Sequence, residues 1–154
     1  MKRFFFDCGT RDSGASLGLL FLRVAIGWMM LHHGIDKIKD FQHMKATWDV
    51  VPAIWPVSHL PKPVCFFATL GAEVGASTLI ILGLATRPAA FYLGFAMVIA
   101  AFQVMANAPF FMDGTPFNKE PAVLYLIPCF VLIITGAGLY SFDNPLSKEK
   151  RRRR

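Results

Sequence analysis

Four stretches of mostly apolar residues divide this chain: Ser16 to Gly34, Val64 to Leu84, about Ala89 to Ala108, and about Pro121 to Leu139. Each holds about 20 residues, the length a helix rising 1.5 Å per residue needs to cross a hydrocarbon core of ~30 Å. The pattern predicts an all-α fold, a bundle of four transmembrane helices. Pro121 suits the first turn of the fourth helix, and Pro128 is expected to kink it. The link between the second and third stretches, Ala85 to Pro88, is short enough to make those helices antiparallel neighbours.

Composition agrees. Hydrophobic residues make up 55% of the 154 and charged residues 17%, against about 45–50% and about 25% in soluble domains. The length allows one integral membrane domain, with a core from about 17 to 143 and a short basic tail behind it. The first apolar stretch is longer than the apolar part of a signal peptide. His32, His33 and Gly34 follow it where a small-residue cleavage site would stand, so it reads as a span and not a leader.

Lysine and arginine set the expected orientation. With both termini cytoplasmic, the inner side holds Lys2, Arg3, Arg11, Arg87, Lys148, Lys150 and Arg151 to Arg154. The outer side holds Lys37, Lys39, Lys45, Lys62 and Lys119, partly offset by Asp36, Asp40, Asp49 and Asp113. That excess predicts both ends inside. The terminal arginines account for most of the net +6, and beside a membrane they suit anionic lipid head groups. No nucleic-acid or zinc-finger motif is present.

Arg23 and Glu73 lie within apolar stretches. A charge at mid-bilayer costs at least ~2.5–3.5 kcal/mol, so both are candidate functional residues. Depths counted from the helix ends put them within an arginine's reach, and a guanidinium–carboxylate pair is expected, either catalytic or serving only to lock two helices. At 100° per residue Arg23, Gly27, Met30, Gly34 and Lys37 form one stripe on the first helix, with His33 at its margin. Thr69, Glu73 and Ser77 form a polar stripe on the second, and Gln103 and Asn107 share a face of the third. Glu120 opens the fourth, with Tyr125 a turn further in. These groups predict a polar cavity in the outer half of the bundle, floored by Arg23 and Glu73. Candidate ligand-binding residues are His33, Lys37, Thr69, Gln103, Asn107, Glu120 and Tyr125. Glu120 also has a plain role, since a carboxylate is favoured at a helix N-terminus.

Asp36 to Lys62 is too polar to span. Its stretch from Val50 to Trp55 reads either as a lid across the bundle mouth or as an interfacial loop. Cys8, Cys65 and Cys129 form no C-x-x-C pair, which argues against a dithiol centre. All four histidines (His32, His33, His43 and His59) lie on the first helix or in the loop after it, a poor arrangement for haem. No metal site is expected.

Arg23, the His33-Gly34 pair and Lys37 form one signature; Glu73 with its glycines leads to a second, Gly83 to Arg87. Glu120 follows, and the chain closes on Gly136-Ala-Gly-Leu-Tyr-Ser-Phe-Asp143. In this order, from about Leu17 to Asp143, they resemble the DoxX family of small bacterial membrane proteins. Leu139 stands where that family's closing motif usually has a basic residue. The resemblance implies a four-helix bundle associated with redox chemistry; relatives include the membrane subunit of a thiosulfate:quinone oxidoreductase. Two functions are compatible with it. One is a component of a membrane redox system that binds a quinone at Arg23 and Glu73, possessing or serving an oxidoreductase activity. The other is a non-catalytic scaffold that anchors soluble redox enzymes by its basic tail. Expected partners are the lipid bilayer and a soluble or membrane redox protein; assembly with a second copy is left open.

Overall fold

The computed structural model describes residues 9–10, 12–53, 57–111 and 118–145. The tail from Lys148 to Arg154, Ile54 and Trp55 of the lid segment, and Cys8 lie outside the described residues.

Helix α1 runs Ser13–Lys39, 27 residues. The Asp12 side chain accepts from the Ala15 amide at 2.6 Å and so satisfies one of the orphan donors at its start. Lys37 and Lys39 stand in its last turn, where cations are favoured. A short helix α2, Phe41–Thr47, and a single 3₁₀ turn, Val57–His59, follow. Helix α3, Lys62–Leu82, carries Pro63 in its first turn. It widens into a π-helical segment at Gly71–Ala76 and returns to α geometry over Ser77–Leu82. Gly83, at φ 67°, ends it. The Leu84 amide reaches back to the Leu79 carbonyl at 3.0 Å, closing a Schellman turn. Helix α4, Thr86–Val104, ends in a second π-helical segment, Ala100–Val104. Helix α5, Glu120–Thr135, passes through Pro128 as one element.

Three of these helices, α1, α3 and α4, are long and apolar enough to cross a membrane. Helix α5 has 16 residues, about 24 Å, and stops short of the expected Leu139. Gly136, at φ 78° and ψ −165°, turns the chain out of the helix.

The α1–α3 and α4–α5 contacts dominate the packing. Leu19, Ile26, Met30, Ile80, Leu93, Met97, Cys129 and Leu132 fill the core. The predicted α1 stripe is the face it buries: Arg23, Gly27, Met30 and Gly34 are all buried. Its glycines fix the register. A Cβ on Gly27 would lie 2.5 Å from Ile81 Cγ1, and one on Gly34 would lie 2.5 Å from Val74 Cγ2. Seven residues along α1 thus match seven in the opposite direction along α3. Outward, Phe21, Trp28 and Met29 on α1, Phe91 and Phe102 on α4, and Leu124, Ile127, Phe130 and Ile134 on α5 are exposed. Large apolar residues exposed on several helices are the surface a bilayer solvates and water does not.

The bundle has two unlike ends. The loop end carries α2 and the segments joining α1 to α3 and α4 to α5. The turn end carries the α3–α4 turn and the chain after α5, which folds back onto it.

Candidate functional site

The two intramembrane charges do not meet. Arg23 lies level with the end of α3: Nη2 donates to the Tyr140 carbonyl at 2.6 Å and Nη1 to the Ile80 carbonyl at 3.4 Å. Ile80 is seven residues beyond Glu73, about 10 Å along the axis, so the predicted Arg23–Glu73 pair is absent. Depths counted from the helix ends erred because the two glycines, and not the span limits, set the register.

Arg23 belongs instead to a tightly built joint at the turn end. It is fully buried there, within electrostatic range of Asp143. Asp143 accepts the Ala85 amide at 2.8 Å and the Thr86 amide at 3.0 Å, and its own amide donates to the Gly83 carbonyl at 2.9 Å. A carboxylate on the first amides of α4 is the favoured charge at a helix N-terminus. Ala85 holds φ at 48°, an unusual conformation for a residue with a side chain, and the Asp143 clasp secures it. The glycines of the closing motif serve the same joint. Gly138 lies where a Cβ would come within 3.2 Å of Ser16 Cα. Ser16 Oγ accepts the Leu139 amide at 3.1 Å. Two segments far apart in sequence, Gly83–Arg87 and Gly136–Asp143, thus form one structure around Arg23.

Glu73 pairs with Lys37. The Lys37 ammonium donates to Glu73 Oε1, and the pair is the nearest to buried of the ion pairs among the described residues. The Glu73 side chain is 7% exposed and that of Lys37 23%. Among the described residues, buried Glu73 Oε2 has no hydrogen-bond partner, and neither has the buried hydroxyl of Ser77 one turn along. Glu73 lies within the π-helical segment Gly71–Ala76, a local widening often found at functional sites. Gly34 brings α1 against its backbone: a Cβ there would lie 3.2 Å from Glu73 Cβ. An aromatic wall stands beside the pair. Lys37 Nζ lies 5.9 Å from the Trp48 ring centre, and the Trp48 and Phe66 rings are 5.3 Å apart.

The remaining candidates divide. Gln103, in the second π-helical segment, straps the loop down: its side-chain amide donates to the Val51 carbonyl and its oxygen accepts the Ala53 amide at 2.7 Å. Trp48 Nε1 donates to the Val50 carbonyl at 2.9 Å, and Lys62 bonds Asp49, holding the Asp49 carboxyl below its usual range. The described part of the predicted lid, Val50 to Ala53, is therefore pinned to α4. Thr69 donates to the Cys65 carbonyl of its own helix at 3.0 Å. His33 and Tyr125 face each other edge to face, ring centres 6.5 Å apart, with His33 exposed and Tyr125 half-buried. Glu120 is half-buried in the first turn of α5, and Asn107 is exposed beyond the end of α4. The structure thus joins Lys37 and Glu73, gives Gln103 to the strap, and takes Arg23 away to the other end. Sequence reasoning passed over Trp48 and Asp143 as functional positions. The signal for Asp143 was its place at the end of the closing motif.

Buried charges within apolar helices, and a lipid-compatible exterior, define a polytopic helical membrane protein. The DoxX family model matches residues 18–106, and the chain belongs to the DoxX family. Two proteins of Haemophilus influenzae (strain ATCC 51907 / DSM 11121 / KW20 / Rd), both described as uncharacterized, are similar to it. One is 25% identical over 142 residues, covering 92% of this chain and 91% of the relative. The other is 29% identical over 133 residues, covering 85% and 92%. No solved structure matches.

Proposed function

We propose that this protein is a four-span component of a redox system in a bacterial inner membrane, with both termini cytoplasmic, and that it binds the head group of a quinone-type molecule at Glu73 and Lys37. In this reading α5 completes the fourth span together with the folded-back chain after Thr135. The observation that carries the proposal is the half-used Glu73 carboxylate: Oε1 is taken by Lys37 while Oε2 is buried without a partner among the described residues. A buried acceptor left unmet costs about 1–3 kcal/mol, more when charged, so a ligand donating to it binds with that advantage.

A hydroquinone hydroxyl is such a donor, and a quinone carbonyl accepts from the Lys37 ammonium. The half-buried Trp48 ring, backed by the buried Phe66 at a steep angle, offers an apolar face beside the pair. The exposed apolar helix faces suit an isoprenoid tail. Glu73 Oε2 accepts the hydroxyl proton, and Lys37 steadies the carboxylate. Arg23 takes no part in this chemistry; its role is to hold the turn-end joint. Calorimetric titration of a short-chain quinone and its hydroquinone into the purified protein tests the reading. Glu73→Gln and Lys37→Met should each weaken binding about 10-fold or more, the loss of one charged hydrogen bond. Equal affinity in the wild type and both variants would end the proposal.

A scaffold role has support in the basic run Lys148–Arg154, which follows closely on the Asp143 joint. If that reading holds, deleting the run abolishes recovery of a soluble redox partner while quinone binding stays unchanged.

A further inference from the structure

The two halves of α3 are anchored to different neighbours. At the turn end α1 holds it: a Cβ on Gly27 would lie 2.5 Å from Ile81 Cγ1, and Arg23 Nη1 donates to the Ile80 carbonyl at 3.4 Å. Toward the loop end α4 holds it, through the Tyr92 hydroxyl, which donates to the Ala68 carbonyl at 2.6 Å. Gly71 gives that hydroxyl its room, since a Cβ there would lie 3.3 Å from the Tyr92 oxygen. Two hydroxyls of α3 itself are met within their own helix. Thr69 donates to the Cys65 carbonyl at 3.0 Å and Thr78 to the Val74 carbonyl at 2.7 Å. The Tyr92 bond crosses between helices and so fixes one against the other.

The π-helical segment Gly71–Ala76 lies between these two anchorages, and Glu73 lies inside it. Such a widening is rare, and an uncommon backbone persists where the surrounding contacts over-determine it. Here α1 and α4 both pack against it. Gly34 of α1 lies so near that its Cβ would come within 3.2 Å of Glu73 Cβ. Closing the segment into plain α geometry would turn one half of α3 against the other by about 100°, the angle one residue subtends. Glu73 would not keep its aim at Lys37 through such a turn. Tyr92 itself makes no hydrogen bond to Lys37 or Glu73 among the described residues.

We infer that Tyr92 is a positioning residue for the Glu73 site: by anchoring the Ala68 carbonyl, its hydroxyl keeps α3 widened at Gly71–Ala76 and the Glu73 carboxylate aimed at Lys37. The lipid-facing ring of α4 thus reaches the ion pair through the backbone of α3. That the aimed carboxylate serves a quinone rests on the function proposed above; the action of Tyr92 on the pair does not.

The test reads the coupling between Lys37 and Glu73, two side chains that Tyr92 does not bond. Unfolding in detergent is measured for the parent, Lys37→Met, Glu73→Leu and the double variant, and the same four are then made with Tyr92→Phe, which removes only the hydroxyl. The coupling from the first cycle should fall to about half or less in the second. Tyr140→Phe serves as the control. It removes a hydroxyl that lies 3.1 Å from Ser13 Oγ at the turn end, and it should leave the coupling as in the parent. Should Tyr92→Phe fail to fold, Gly71→Val keeps the tyrosine and drives its hydroxyl off the Ala68 carbonyl, with the same expected loss. A coupling absent from the parent, or unchanged by Tyr92→Phe, overturns the inference. An equal fall with Tyr140→Phe assigns the effect to a general loosening of the bundle and overturns it as well. No quinone enters the measurement, so a failure of quinone binding would count against the proposed function and leave this result standing.

Discussion

Gly83 and Arg23 occupy the same point of the bundle, so closely that a methyl group on Gly83 would fall 1.9 Å from the guanidinium. Gly83 also holds φ at 67°, in the left-handed region. Two independent reasons therefore demand glycine here, and both act at the joint that satisfies a buried cation.

Gly83→Ala is expected to destabilise the protein by about 3 kcal/mol or more, combining a strained backbone with displacement of a buried, hydrogen-bonded charge. Gly75→Ala, with nothing near its Cβ, should by contrast leave stability unchanged or slightly raised. Unfolding in detergent followed by circular dichroism separates the two. Equal stability of both variants would contradict the placement of Arg23.

The Lys37–Glu73 pair should behave as a coupled unit. Lys37→Met or Glu73→Leu alone leaves one charge without its partner. Because Lys37 is partly exposed, each should cost less than the ~3–5 kcal/mol of a fully buried pair. The double variant should regain much of that loss. A double-mutant cycle on unfolding free energies measures the coupling, and strict additivity would mean the ion pair contributes nothing.

Asp143→Ala removes the acceptor for the Ala85 and Thr86 amides, at 2.8 and 3.0 Å, and an anion within electrostatic range of Arg23. A lost N-terminal cap alone costs about 0.5–2 kcal/mol, and the uncompensated arginine adds to it. Asp143→Asn keeps one acceptor oxygen and should fall between the wild type and Asp143→Ala in the same unfolding assay.

Gln103→Ala should free the segment from Trp48 to Ala53 while leaving the helices intact. Limited proteolysis should then cut that segment sooner, with the melting temperature little changed. Acid should loosen it too. The bond from Lys62 depresses the Asp49 carboxyl in the folded chain, so the clasp is complete above the unfolded pKa of about 3.9 and fades as pH falls through the lower folded value. Cleavage that does not depend on Gln103 would mean the strap is held elsewhere.

Orientation is tested by reporter fusions. A reporter placed after Asp143 should signal cytoplasm, and one placed near Lys45 should signal the opposite side. The reverse pattern would invert the face on which the Glu73 site opens.

The helices and their buried faces were legible in the sequence because both are periodic. Arg23, Gly27, Met30 and Gly34 recur at helical spacing, and that stripe is the face α1 buries. The burial of Glu73 was legible too, but its pairing with Lys37 was not. It depends on a register fixed by two glycines meeting Ile81 and Val74, contacts that carry no periodic signal of their own. The partner of Arg23 was harder still. Its closest acceptor is the backbone carbonyl of Tyr140, in irregular chain that returns from beyond α5. A carbonyl leaves no mark in a sequence, whereas a carboxylate such as Glu73 does, so charge-matching by residue type chose the wrong partner. The strap made by Gln103 was illegible for a similar reason. An amide side chain reads as a ligand group, yet here it stands in for a length of backbone and pairs with Val51 and Ala53.

The joint around Arg23 also sets an order of events during biosynthesis. Arg23 belongs to α1, which leaves the ribosome before α3, α4 and α5, while Tyr140 and Asp143 emerge after all of them. Until then the guanidinium has no Tyr140 carbonyl to bond and no Asp143 carboxylate near it. A nascent chain lacking Gly136 to Asp143 thus carries in α1 a cation that its own later sequence has yet to satisfy. Release of Arg23 from that state waits on the segment Gly136 to Asp143, and any copy that ends before it is left with an intramembrane cation lacking these two partners.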